Sequence, residues 1–321
     1  MQGEPRRRGG GASQRLDVGG TALHVQETGQ GRPLLLVNGI GAHVGMWKPL
    51  LAALPDVRVI AFDAPGTGRS ATPAIPVTME GLAGLAEGVL DRLGYGEVDV
   101  LGYSFGGPVA QRLARRAPER VRRLVLAATT PGWGGVPGSL RTLVRMSTPL
   151  RYYWRSYYEA IAGDLMGGRS RHDAEFVRRH GEERRDHPPD PLGYTWQLAA
   201  LMGAPGTLPW LHELRMPALV VTGDDDPVMP LANSLLLANR LPAGRLLVVP
   251  GEGHLLLLDP ESSALPAIRD FLVNEELDAS AAWRAAVDVT RPMLEAALPA
   301  IPVEMPNPVS LMSAGIRAFW S

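Results

Sequence analysis

The chain has 321 residues, 45% of them hydrophobic and 20% charged, with a net charge of −1. That is globular composition, sufficient for one large α/β domain carrying an insertion, and it leaves no basic footprint for nucleic acid. Cysteine is absent, which excludes disulfides, thiolate metal sites and a cysteine nucleophile, and leans weakly toward the cytosol. No run of about 18 apolar residues occurs, so no membrane-spanning segment is expected.

Residues 1–14 are rich in arginine and glycine with no apolar segment behind them. They read as a disordered tail and not as a secretory signal. "LDVGGTALHVQETG" predicts a hairpin around Gly19-Gly20. "PLLLVNG" (Pro33–Gly39) predicts a buried strand ending in a glycine loop, and "VRVIAFD" (Val57–Asp63) another. "TMEGLAGLAEGVLDRLG" places Met79, Leu82, Leu85, Val89, Leu90 and Leu93 on one helical side. Asp63 with Gly66 and Gly68 reads as a structural turn.

The next strand, around Val98–Leu101, runs into Gly102-Tyr103-Ser104-Phe105-Gly106-Gly107. Val109, Ala110, Leu113 and Ala114 then recur at helical spacing, with Pro108 in the first turn where its missing N–H costs little. A serine on so sharp a strand-to-helix turn, among residues without side chains, is the G-x-S-x-G nucleophile elbow. "RLVLAAT" (Arg123–Thr129) is a further strand. From 131 to 212 the strand rhythm stops, in a stretch rich in aromatics, glycine, proline and arginine. "PALVVTGDDDP" and "RLLVVPGEGH" restore it.

Strands alternating with helices predict a mostly parallel, doubly wound sheet, with a helical cap inserted after the strand that follows the nucleophile helix. The expected division is 15–130 and 213–276 as the core, 131–212 as the cap and 277–321 as a C-terminal extension with amphipathic segments. Loops at the carboxyl ends of such strands converge on one site. The elbow serine, the run Asp224-Asp225-Asp226 and His254 all lie on such loops, in the chain order this fold uses for nucleophile, acid and base. Serine needs an imidazole to take its proton, and the imidazole needs a carboxylate to hold its tautomer.

The oxyanion of a tetrahedral intermediate needs two N–H donors. The expected pair is Phe105, which follows the serine, and Ile40 in the loop "VNGIGAHVGMW", with Gly41 as the fallback. His43, near that loop, is a pocket candidate, while His24, His172, His180, His187 and His212 read as surface residues. No metal and no cofactor are expected. In "RYYWRSYYEA", one helical face cannot bury Tyr152, Tyr153, Trp154, Tyr157 and Tyr158 together, so some must meet a pocket or solvent. Trp133, Trp154 and Trp196 are further candidates for substrate contact, as are Asn38 and Gly39.

These stretches, with "VIAFDAPGTGRSATP", "GYTWQLAAL" and "GEGHLLLLDP", resemble the α/β-hydrolase superfamily. Within it they resemble the intracellular depolymerases of medium-chain-length polyhydroxyalkanoates. More telling than the elbow are Asn38, where most relatives have histidine, the Tyr-x-Trp-Gln-Leu of the cap, and "VLAAT". The chain departs from that family at Phe105, where its members carry tryptophan, and in 277–321. The resemblance implies Asp226 as the acid and a hydrophobic polyester as substrate, cleaved to 3-hydroxy acids or oligomers in the cytoplasm or at a storage-granule surface.

The alternatives are a carboxylesterase or lipase, a carbon–carbon hydrolase with the same triad, or a hydrolase fold kept as a binding module. The terminal "LMSAGIRAFWS", behind a proline-rich linker, is either packed on the fold or an amphipathic anchor for a granule or lipid surface. The sequence sets neither acyl chain length nor oligomeric state.

Overall fold

A computed structural model describes residues 12–297. Eight strands form one sheet: β1 (Ala12–Val18), β2 (Thr21–Thr28), β3 (Arg32–Val37), β4 (Val57–Phe62), β5 (Val98–Tyr103), β6 (Val121–Ala127), β7 (Ala218–Gly223) and β8 (Gly244–Val249). Their order is β1-β2-β4-β3-β5-β6-β7-β8, antiparallel for β1–β2 and β2–β4 and parallel elsewhere. From β3 the chain crosses to β4 on one side and returns to β5 on the other. The order therefore reverses between β3 and β5, and the loops that leave these two strands open a crevice there.

The central strands are apolar on both sides, and alternate residues feed two cores. Leu35, Ile60, Val100, Leu126 and Val220 pack under the helices Met79–Leu93 and Gly106–Arg116. Leu34, Leu36, Val59, Leu101, Val125 and Leu219 pack with Leu50, Leu54, Leu265, Ile268 and Phe271 on the other side. The helix Met79–Leu93 is bounded as its sequence dictates. The Thr78 hydroxyl accepts from Gly81 N–H, and Gly94 closes it in the left-handed conformation.

Between β6 and β7 the chain forms the helices Leu140–Met146, Leu150–Tyr153, Arg155–Met166, Ala174–Asp186 and Pro191–Gly203. This is the cap. Ser139, Asp173 and Asp190 cap the first, fourth and fifth of these helices with side-chain oxygens.

Two sequence boundaries shift. The first strand begins at Ala12, so residues 12–14 belong to the sheet and not to a tail. The extension assigned to 277–321 is, over 280–289, stitched to the core. Trp283 is buried and stacks on Phe271, Asp270 accepts from Ser280 and Ala282, and Val287 exchanges both backbone hydrogen bonds with Leu246 of β8. This segment covers part of an otherwise open sheet edge. Pro292 lies in the first turn of the helix Arg291–Ala297. The terminal Leu311, Met312, Ile316, Phe319 and Trp320 lie outside the described residues. No helix among the described residues is long and apolar enough to cross a membrane.

Candidate active site

Ser104 follows the last residue of β5 with φ +52°, a left-handed conformation rare outside glycine. Holding a serine there costs about 1–3 kcal/mol. Its surroundings hold it in place: its N–H donates to Ala127 O at 3.0 Å, and its carbonyl accepts from Gly107 N and from the Thr129 hydroxyl. Gly106 must be glycine, because a Cβ would fall 2.1 Å from the carbonyl oxygen of Val37 on the adjacent strand. The turn is tight because two strands and a helix start meet within it.

The expected acid and base arrive on the loops after β7 and β8. His254 Nε2 stands 3.1 Å from Ser104 Oγ, and its Nδ1 stands 2.8 Å from Asp226 Oδ2. The other oxygen of Asp226 accepts from the N–H groups of Val228 and Met229 at 2.8 and 2.9 Å. With Asp226 an acceptor on both oxygens, Nδ1 carries the ring proton and Nε2 is left to accept from the serine hydroxyl. Ser104, Asp226 and His254 are all buried, at 3%, 7% and 6% exposure.

The neighbouring aspartates do other work. Asp224 accepts from Gly251 N–H, and Asp225 from Gly168 N–H and Arg171. Among the described residues no group of three or more histidine, aspartate or glutamate side chains is placed to hold a metal ion.

The N–H groups of Ile40 and Phe105 donate to no partner among the described residues, whereas Gly41 N–H is occupied by Gln197 Oε1 at 2.9 Å. Gly41 is therefore removed as the fallback donor. Its φ of +69°, and a Cβ position 2.9 Å from the rings of Tyr152 and Tyr194, explain why glycine stands there. The Ile40 carbonyl accepts from the Tyr152 hydroxyl at 2.6 Å. Two cap side chains thus hold the two polar ends of one peptide, Ile40–Gly41.

A narrow cavity of about 40 Å³ opens at Ser104. Gly39, Ile40, Ser104 and His254 line its floor, and Tyr152, Tyr158, Met146, Leu165, Arg151 and Arg184 come down from the cap. Several expected contacts are not made. Trp133, Trp154 and Trp196 do not line the cavity: Trp154 is 59% exposed, Trp133 donates to Met202 O and Trp196 to Pro73 O. Trp133 lies in the turn before the first cap helix and Trp154 at the junction of two cap helices, and only Trp196 is within a helix, Pro191–Gly203.

Asn38 is a scaffold residue beneath the loop, donating to Phe62 O and accepting from the indole of Trp47. His43 is buried but caps the turn Val44–Trp47 and bonds Glu183 O; burial lowers its pKa. His24 and His180 are also buried and not on the surface. His24 Nδ1 pairs with Asp63 at 2.8 Å, and Asp63 in turn accepts from Val44 and Arg69 N–H, tying the loops after β3 and β4 together. The residues that sequence reasoning passed over are Gln197, Arg151 and Arg184. Only Gln197 carried a signal, as part of the quoted "YTWQL".

A mostly parallel sheet with a strained serine on its strand–helix turn, in hydrogen-bond series with histidine and aspartate, has the architecture of an α/β serine hydrolase. Residues 32–261 match the family model described as alpha/beta hydrolase fold. The chain belongs to the α/β-hydrolase family. It is 44% identical over 244 residues to a poly(3-hydroxyalkanoate) depolymerase of Ectopseudomonas oleovorans, covering 76% of this chain and 85% of that one. It is 30% identical over 242 residues to the pimeloyl-[acyl-carrier protein] methyl ester esterase of Nitrosomonas europaea, covering 73% and 92%. The solved enol-lactonase of Burkholderia xenovorans superposes with a TM-score of 0.70 at 25% identity, over 81% of this chain and 100% of that one.

Proposed function

We propose that the protein is a serine ester hydrolase whose substrate is a polyhydroxyalkanoate, cleaved through an acyl-enzyme to 3-hydroxy acids or short oligomers. The observation that supports it most is the hydrogen-bonded series Ser104–His254–Asp226 at the floor of a largely apolar cavity, in a chain similar to a poly(3-hydroxyalkanoate) depolymerase.

Ser104 Oγ attacks the ester carbonyl as its proton passes to His254 Nε2. Asp226 holds the ring and stabilises the imidazolium. The carbonyl oxygen, now an oxyanion, accepts from the free N–H groups of Ile40 and Phe105. Collapse expels the alcohol, which takes the proton from His254 and leaves an acyl serine. Water, deprotonated by the same nitrogen, then releases the acid. Met46, Met146, Leu165, Met166, Leu255 and Leu258 offer an apolar wall to an aliphatic side chain.

This reading carries with it a cytoplasmic setting and a granule-surface contact through the terminal segment beyond residue 297. The test is release of 3-hydroxy acids from purified polymer beside turnover of p-nitrophenyl esters. Both activities are expected. Ester turnover without any 3-hydroxy acid would leave an esterase and remove the polymer. Loss of granule co-sedimentation on truncation at residue 297, with ester turnover kept, is the result expected for the surface contact.

A further inference from the structure

The cap brings two arginines into the cavity that holds Ser104. Arg151 is 1% exposed and Arg184 9%. Neither forms an ion pair with a carboxylate among the described residues, although most arginines of this chain that are named in ion pairs lie at the surface. Arg151 Nη1 donates to Thr148 O and Tyr194 Oη, but its Nε and Nη2 have no acceptor among the described residues and are shielded from water. Arg184 Nε donates to His180 Nε2 at 3.0 Å, and its Nη1 has no acceptor either. The hydroxyl of Tyr158, 2% exposed on the same cavity wall, is a third unpartnered group. Both guanidinium groups stack on the ring of Tyr152, at 4.7 and 4.5 Å from its centroid.

A buried cation without a counter-ion is costly, and two beside one ring more so. Aromatic faces offset part of that cost, but they do not accept the in-plane N–H groups. Nε and Nη2 together form the edge of a guanidinium that matches both oxygens of a carboxylate. The four donors just named, Arg151 Nε and Nη2, Arg184 Nη1 and the Tyr158 hydroxyl, belong to residues lining one cavity, and Ser104 and His254 line the same cavity.

We propose that this cavity holds a carboxylate, the free acid end of a hydroxyalkanoate chain, gripped by Arg151 and Arg184 with the Tyr158 hydroxyl. The proposal rests on the ester-hydrolase reading above and deepens it. With the acid end so held, the ester presented to Ser104 is the last one in the chain. Its carbonyl carbon bonds to Ser104 Oγ and its C–O bond to the terminal unit breaks. The alkoxide so released takes the proton from His254 and leaves as a 3-hydroxyalkanoate, while the rest of the chain stays on the serine until water releases it with a new acid end. The enzyme would shorten chains from the carboxyl terminus, one unit per cycle.

The test compares the dimer of 3-hydroxyoctanoate as free acid and as methyl ester, at a pH of about 8 where the acid is ionised. For the wild-type protein kcat/KM for the acid is expected to exceed that for the methyl ester by about tenfold or more, the scale of charge-assisted hydrogen bonds. In Arg151→Gln and Arg184→Gln the ratio of the two is expected to fall toward one. The ratio is internal to each preparation, so a partly unfolded variant still reports it. A wild-type protein that cleaves the methyl ester as well as the acid overturns the proposal and leaves the hydrolase reading standing.

A second arm does not depend on the polyester. It measures inhibition of p-nitrophenyl octanoate turnover by 3-hydroxyoctanoate and by its methyl ester. Stronger inhibition by the acid, lost in Arg151→Gln, supports the carboxylate site even if neither dimer is cleaved. Equal inhibition by both overturns it.

Discussion

The floor and the roof of the site are built by different rules. On the floor, Ser104, Asp226 and His254 sit at the carboxyl ends of β5, β7 and β8, and the parallel pairing β5–β6–β7–β8 sets their separation. Backbone groups supply most of the local restraint. On the roof, side chains reach down from helices to the loops beneath. Tyr152 and Gln197 hold the Ile40–Gly41 peptide. The carbonyl of Met166, at the end of its helix, accepts the N–H of His254 at 2.6 Å, and Gly168 N–H donates to Asp225. The floor holds the three groups to which the proposed reaction assigns the chemistry, whereas cap groups bond the loops that carry them. The cap is therefore more than a lid over the cavity: it grips all three loops.

The largest effect should come from the floor. Ser104→Ala and His254→Ala are each expected to lower kcat by about 10⁶-fold, with the double variant little worse, because the residues act as a unit. Asp226→Asn should cost about 10⁴-fold, since the ring then takes the wrong tautomer. Asp224→Asn and Asp225→Asn should stay near wild type, because their bonds tie loops and do not reach His254. Steady-state turnover of a p-nitrophenyl ester measures all six, and a severe loss in Asp225→Asn with a mild one in Asp226→Asn would move the acid.

A smaller effect should come from the roof. Gln197→Leu keeps the volume and removes the acceptor of Gly41 N–H, leaving a buried donor unpaired at a cost of about 1–3 kcal/mol. The loop can relax, so kcat should fall by about tenfold, less than the roughly 10²–10³ lost with an oxyanion donor itself. KM for a small ester should change little. Gln197→Glu keeps the acceptor and is expected to recover part of the rate. A change in KM alone, with kcat kept, would make Gln197 a wall residue and not a positioning one.

The smallest effect concerns pH and the cap. Burial, reinforced by Arg184 and Arg179, holds the pKa of His180 well below 6.5, and burial also lowers that of His43. Other groups facing His180 are Phe176 and Tyr158; His43 faces His187 and the Glu183 carbonyl. In the unfolded chain both histidines gain a proton near pH 6.5, while in the folded chain they resist it. Stability should therefore be full above about 6.5 and fall as the pH drops below it, levelling off only below the depressed folded values. Thermal melts between pH 7.5 and 5 check the slope, and His180→Gln should flatten it. A melting temperature unchanged by that substitution across the range would contradict the sign.

Much of the floor was legible because its signals are local. The elbow declares itself through glycines, a strand before and a helix after. The loops that carry the acid and the base each follow an apolar run. Which aspartate of the run faces His254 was not legible from the residues alone and was implied only by the family resemblance; the structure shows Asp226 accepting from N–H groups two and three residues on, as an aspartate at the start of a turn does. The roof was less legible, because contacts such as Tyr152 to Ile40 or Gln197 to Gly41 span more than a hundred residues and leave no periodic trace. Aromatic content drew attention to Trp133, Trp154 and Trp196, yet which face of a short cap helix points inward depends on how the helices pack. Likewise His24 looked like a strand's solvent side until Asp63, from a neighbouring loop, proved to bury it.

The most direct measurement of the central claim is covalent. A chain reacted with a slowly deacylating p-nitrophenyl ester and quenched in acid should release one p-nitrophenol per chain in a burst. The acyl mass should be found on the peptide containing Ser104, and both signals should be absent in Ser104→Ala. Steady turnover with no acyl mass on that peptide, or a burst that survives Ser104→Ala, would contradict the account.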